Sequence, residues 1–242
     1  MIMKNNYLYK KKNYIINLIF LLFWIGGILS FLVKNDVFTE NNWAGGVFLY
    51  LASFIILINH KKNNIFILIY IGLFGFLIEI IGSSYHLPFG EYYYTSELGI
   101  GLYDVPFSLF SAWIIISVFV IQILHYSNVS KKLWWLMGPV LMIIVDLIIE
   151  PVATGPMNAW VWIDEGLYYG VPISNFIGWG IVSLPIFIVI QKFYKDEYKQ
   201  SIIPIAVISF FVIVSIIKSL LLPIIIFIMI CVFVIVRKKI NA

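Results

Sequence analysis

The sequence predicts an all-α fold, a polytopic integral membrane protein of about eight transmembrane helices. Three observations carry that prediction. Hydrophobic residues make up 62% of the chain and charged residues 12%, about half the ~25% charge of a soluble domain. Apolar runs of roughly 16 to 20 residues recur along the whole length, which is what a helix needs to cross about 30 Å of hydrocarbon. The basic residues crowd into alternate loops, the bias that sets topology. No polar segment of domain size interrupts the runs, so residues 1–242 read as a single membrane domain. The lone Cys231 lies inside the last run, which excludes an intrachain disulfide. The net charge of +4 is accounted for by these basic loops, and no nucleic-acid partner is expected.

The spans follow in order. Residues 1–13 carry Lys4, Lys10, Lys11 and Lys12, and the run Tyr14–Val33 is too long for a cleaved signal peptide, so it reads as the first span. Further spans are predicted at Ala44–Asn59, Ile65–Gly82, Val105–Leu124, Leu133–Glu150, with Pro151 as its stop, and Pro172–Gln191. The last apolar stretch divides into Ile202–Ile217 and Leu220–Val236 at Lys218-Ser219, because one helix of that length would rise about 52 Å. With both termini in the cytoplasm, the inner segments hold Lys4, Lys10–Lys12, Lys61, Lys62, Lys131, Lys132, Lys192, Lys195, Lys199 and Arg237–Lys239. Those are 14 of the 16 basic residues; Lys34 and Lys218 fall outside. The acids do the opposite. Only Asp196 and Glu197 lie in inner loops, while Asp36, Glu40, Glu91, Glu97, Asp104, Asp164 and Glu165 lie in or beside outer ones.

Three acids remain within spans. Glu79 is expected about 21 Å along the third helix, in the outer third of the core, and Asp146 reaches a similar depth in the fifth. A carboxylate there costs about 2.5–3.5 kcal/mol even on the lenient insertion scale, so such residues face an interior cavity. Asp146 and Glu150, at i and i+4, share one helix face. Two carboxyls that close in a low dielectric do not both ionise, so one of the pair holds a proton and is a ready general acid. The competing account is a pair of satisfied structural carboxyls. A weak repeat points to the same region. Val105-Pro106, Ser108 and Trp113 recur as Val171-Pro172, Ser174 and Trp179 at an offset of 66, and Glu79 and Asp146 at 67, as two parallel helix hairpins.

Other chemistries fit poorly. The chain has three histidines and no His-x-x-His or Glu-x-x-His pair, so no metal site is expected. Asp146-x-x-x-Glu150 resembles the Asp-x-x-x-Asp element of intramembrane prenyltransferases, but diphosphate needs Arg and Lys, which that side lacks. No nucleotide loop and no Ser or Cys nucleophile arrangement is present. An acid walled by aromatics suits alkene protonation, because π-faces stabilise a carbocation by about 0.5–2 kcal/mol each. Water capture of that cation gives hydration, and capture by an internal double bond gives cyclisation.

The motifs Glu79-Ile-Ile-Gly82, Pro88-Phe-Gly-Glu-Tyr-Tyr-Tyr94, Leu98-Gly99, Val105-Pro106 and Trp113, followed by Asp146, Pro151, Trp160-Val-Trp162, Gly166-Leu-Tyr-Tyr-Gly-Val-Pro172 and Asn175-Phe-Ile-Gly-Trp179, resemble a known family. It is that of the carotenoid biosynthesis proteins, which includes carotenoid 1,2-hydratases and bisanhydrobacterioruberin hydratases. The resemblance covers about residues 70–185. It implies hydration of the terminal ψ-end double bond of an acyclic carotenoid, without a cofactor. Asp104 and His86 stand where small residues are expected, which bears on substrate identity. The expected catalytic set is Asp146 and Glu150 as the proton-donating pair, with Glu79 or Asp104 positioning water. The expected pocket is His86, Tyr94, Trp113, Trp160, Trp162, Tyr169, Asn175 and Trp179. A membrane carotenoid cyclase and a non-enzymatic carrier or channel for small cations are the alternatives. Expected partners are the lipid bilayer, the apolar carotenoid and other carotenoid-pathway enzymes.

Overall fold

Eight α-helices and two small sheets make up the described part of the chain. The structure, a computed structural model, describes residues 2–33, 43–195 and 201–240, with side chains from Tyr14 in the first helix and to Lys239 in the last. Lys34, Asp36, Glu40, Asp196, Glu197 and Lys199, placed in loops above, lie outside the described residues, as do the side chains of Lys4 and Lys10–Lys12. The helices are α1 (Ile2–Val33), α2 (Ala44–Asn59), α3 (Lys62–Tyr85), α4 (Ser108–Tyr126), α5 (Trp134–Thr154), α6 (Ile173–Phe193), α7 (Ile202–Ile217) and α8 (Leu221–Ile240). Six contain apolar stretches long enough to cross a membrane, and α2 and α7 are shorter apolar helices. At 16 residues each, these two rise about 24 Å. The chain is a polytopic membrane protein, and α7 and α8 form the hairpin expected at Lys218-Ser219.

Helix α4 is the centre. Every residue from Trp113 to Leu124 is buried, as a helix apolar on all faces must be. Its neighbours are α2, α3, α5, α7 and α8. The hairpins α3–α4 and α5–α6 make the closest helix pairs, and glycines let them approach. A Cβ at Gly75 would overlap the Trp113 ring, and one at Gly138 the Phe187 ring.

The loops of these two hairpins meet at one end. Strand β1 (Tyr92–Tyr94) pairs antiparallel with β4 (Trp160–Trp162), in the register Tyr92↔Trp162, Tyr93↔Val161 and Tyr94↔Trp160. Strands β2 (Gly101–Leu102) and β3 (Val105–Pro106) form a second ribbon. At the opposite end Asn64 exchanges hydrogen bonds with Lys195 (3.2 and 3.0 Å), and Lys131 Nζ donates to the Tyr194 carbonyl (2.6 Å). Lys61, Lys62, Lys131, Lys132, Lys192 and Lys195 therefore gather at one end, and Glu91, Glu97, Asp104, Asp164 and Glu165 at the other. The alternation read from charge is the alternation of the fold.

Helix α3 extends three residues beyond its expected span at each end and α8 runs on to Ile240; two further boundaries differ for a chemical reason. Val105-Pro106 belongs to a strand, so α4 starts at Ser108. Pro151 does not stop α5, which continues to Thr154. Proline supplies no N–H for the Leu147 carbonyl four residues back, but the Tyr168 hydroxyl donates to that oxygen (2.7 Å). The missing backbone bond is replaced from the next loop, and the helix runs on.

Candidate functional site

Glu79 on α3, and Asp146 and Glu150 on α5, are 5%, 1% and 2% exposed, so each needs hydrogen-bond partners. Glu79 Oε2 accepts from the hydroxyls of Tyr92 and Tyr94 (2.8 Å each), and its Oε1 accepts from Trp113 Nε1 (3.1 Å). Glu150 Oε2 accepts from Trp160 Nε1 (3.2 Å) and Trp162 Nε1 (3.0 Å). Asn175, in the first turns of α6, uses its Nδ2 group twice, donating to Asp146 Oδ2 (2.8 Å) and Glu150 Oε1 (3.1 Å). Five of the six carboxyl oxygens thus have donors. Asp146 Oδ1 is buried with no hydrogen-bond partner among the described residues.

The strand pair explains why these donors converge. Alternate residues of β1 and β4 point to one face, so Tyr92 and Tyr94 reach Glu79 while Trp160 and Trp162 reach Glu150. The rings pack across the ladder, Tyr92 on Trp162 at 4.9 Å and Tyr94 on Trp160 at 6.0 Å. Burial first, then the neighbouring Glu79 carboxyl, holds the Tyr92 and Tyr94 phenols well above their usual range. Both stay protonated and keep donating.

The two hairpins are related by this arrangement. Trp113 and Trp179 stack at 4.6 Å with planes 18° apart. Ser108 donates to the Leu98 carbonyl (3.1 Å) and Ser174 to that of Phe89 (2.8 Å). Gly101 and Gly166 both lie where a Cβ would overlap the carbonyl of the following valine, Val105 or Val171. Strand β1 supplies two donors to Glu79 and strand β4 two to Glu150, so each strand serves one glutamate. One turn before Glu79, Gly75 lies against the Trp113 ring; one turn before Glu150 stands the buried Asp146.

A cavity of about 450 Å³ adjoins the cluster. Glu79, Asp146, Trp113, Trp160 and Trp179 line one part of it, and apolar residues of α1, α2, α4, α5 and α7 line most of the rest. Among the described residues no three His, Cys, Asp or Glu side chains are gathered as a metal site.

Of the expected site residues, Glu79, Tyr94, Trp113, Asp146, Glu150, Trp160, Trp162, Asn175 and Trp179 come together. Asp104, His86 and Tyr169 do not. Asp104 (φ 61°) follows Tyr103 (φ 50°) in the exposed two-residue turn of the β2–β3 ribbon, where positive φ at both positions suits Asp, Asn or Gly. Tyr169 (φ 53°) and Gly170 (φ 85°) make the equivalent turn between Tyr168 and Val171. His86 (φ 60°) is the exposed left-handed cap of α3, its N–H donating to the Gly82 carbonyl (2.8 Å). All three are turn residues. Two residues that the sequence offers only as part of the aromatic wall have specific partners: Tyr92, whose alternation with Tyr94 in a strand is the available signal, and Tyr168, signalled by the carbonyl that Pro151 leaves unpaired.

Comparison with known proteins bears on this constellation. A bisanhydrobacterioruberin hydratase from Haloarcula japonica is 30% identical over 117 residues, which cover 46% of this chain and 39% of that protein. The chain thus matches well under half the length of that relative. No solved structure matches. The profile of the carotenoid biosynthesis protein family matches residues 43–237, and with that match over most of its length the chain belongs to the carotenoid biosynthesis protein family.

Proposed function

We propose that the protein is a carotenoid hydratase, adding water across the terminal ψ-end double bond of an acyclic carotenoid. The observation that carries this reading is a buried aspartate with one unpartnered oxygen on the wall of a largely apolar, tryptophan-bearing cavity. The hydratase named among its relatives supports the same reading.

Asp146 Oδ1 gives its proton to the less substituted alkene carbon, leaving a tertiary cation. The indole faces of Trp113, Trp160 and Trp179 stabilise that cation by about 0.5–2 kcal/mol each. Water, oriented by Glu79, forms the new C–O bond and releases one proton to the carboxylate cluster, which restores the acid. One water is consumed and nothing is oxidised or reduced. Asn175 ties Asp146 to Glu150 and fixes the aspartate's other oxygen, so Oδ1 is the one presented. The reaction as written needs no cofactor, and the substrate partners are apolar, with no nucleic acid and with other carotenoid-pathway enzymes as neighbours.

The basic end is placed in the cytoplasm with both termini, by the positive-inside rule, in a plasma or inner membrane; the carboxyl cluster then lies toward the other face. The test is pigment analysis in a host that makes lycopene, repeated with purified enzyme in isotopically labelled water and with a chelator. A hydroxylated product heavier by one water, carrying solvent oxygen and formed despite the chelator, is expected. A cyclised product of unchanged mass, or oxygen drawn from dioxygen, overturns the reading.

A further inference from the structure

The cavity is walled by buried and half-buried residues except at one place, and that place decides what can reach the carboxyls. Two residues that line it, Leu22 and Trp43, are 60% and 57% exposed. Gly26 also lines it and is exposed. These three lie on α1 or just ahead of α2; the lining residues of α4, α5 and α7 are buried or half-buried. Leu22 and Gly26 are one helical turn apart on one face, and the Phe23 ring meets Trp43 edge-on at 6.0 Å.

The two glycines of α1 are not equivalent. A Cβ at Gly27 would press on the Phe210 ring at 2.9 Å, whereas one at Gly26 would meet no atom within 4 Å. Gly27 lets α1 pack on α7, and Gly26 borders open space. Gly26 also lies about 18 Å along the apolar span that starts at Tyr14, well inside the hydrocarbon. At the inner part of the same cavity stands Asp146, with its unpartnered, buried oxygen.

The geometry points to a lateral mouth framed by Leu22, Gly26 and Trp43, through which the end of a long apolar polyene enters from the bilayer while the rest of the chain stays in lipid. Gly26 sets the width of that passage and so acts as a specificity-determining residue. The identity of the polyene rests on the hydratase reading; the passage itself rests on the wall. Leu22 and Gly26 precede the stretch that matches the family profile, residues 43–237, so this part of the wall belongs to α1 and not to the matched region.

The test uses the full chain in lipid nanodiscs, with lycopene as the probe and quenching of the protein's tryptophan fluorescence as the readout. Gly26→Ala, Gly26→Leu and Gly26→Phe should weaken lycopene binding progressively, by about tenfold or more for Phe, equivalent to roughly 1.4 kcal/mol. Leu29→Phe, exposed on the same helix but not lining the cavity, should bind as the parent does. In turnover, Gly26→Phe should lower kcat/KM for lycopene about tenfold more than for a short acyclic isoprenoid with the same end group. Unchanged lycopene binding by Gly26→Phe, an equal loss with Leu29→Phe, or no binding by the parent overturns the mouth. Binding that shows the Gly26 series while no substrate is hydrated sustains the mouth and removes the hydratase reading.

Discussion

Asp146→Asn keeps the side chain's shape and its ability to meet Asn175, but takes away the proton that Oδ1 would deliver. Turnover should fall by about 10²–10⁴, the usual worth of general acid catalysis, with protein yield near normal. Glu150→Gln should cost less, since its oxygens receive Trp160, Trp162 and Asn175 and act by holding the pair in place. Asp104→Asn should turn over at the parent rate. Hydration by purified Asp146→Asn at the parent rate would make the carboxyls scaffold. This part of the site was legible because i, i+4 spacing fixes a shared helix face whatever the tertiary structure does. Asp104, His86 and Tyr169 lie apart from the cluster for a physical reason. Each is a polar or aromatic residue in a Gly- and aromatic-rich loop, the composition of a pocket, but each sits at positive φ, which sequence pattern does not reveal without glycine.

At the scale of the element, the instructive case is the end of α5. The reading that Pro151 stops the helix follows from local rules, and it fails because Tyr168, in the following loop, supplies the missing donor. That continuation frames the last turn of α5, in which Thr154 donates to the Glu150 carbonyl (2.8 Å). Tyr168→Phe should therefore cost about 1 kcal/mol of stability, with faster amide exchange from Val152 to Thr154 and a lowered melting temperature. Exchange at the parent rate there would show that the hydroxyl is not what sustains the turn. The strands were illegible for another reason. Segments of two or three residues show too little period-2 alternation to register, and the pairing of β1 with β4 arises only once two distant hairpins stand side by side.

For the whole molecule, the eight-helix alternation was legible because basic and acidic loops segregate, and the structure collects them at opposite ends. The same segregation predicts orientation. A reporter fused after the last residue, active only in the cytoplasm, should report activity, as should one in the Ser127–Ser130 turn. One inserted near Asp104 should be silent. The reverse pattern would invert the placement of the site. What the charge pattern did not convey was which helix is central: α4 is no more apolar than its neighbours, and only packing distinguishes it.

The antiparallel union of β1 and β4 has an evolutionary corollary. Each hairpin donates a single strand, so neither can complete the aromatic cradle by itself. If the hairpins descend from one shorter gene, its product worked as a symmetric twin, strand against identical strand, with two equivalent glutamates facing each other. Symmetry would have made any acid appear twice. Joining the copies in one chain would release each half from copying the other, so that α5 carries two buried carboxyls, Asp146 and Glu150, where α3 carries Glu79. Each half is then free to vary its own carboxyls and aromatics without a matching change in the other.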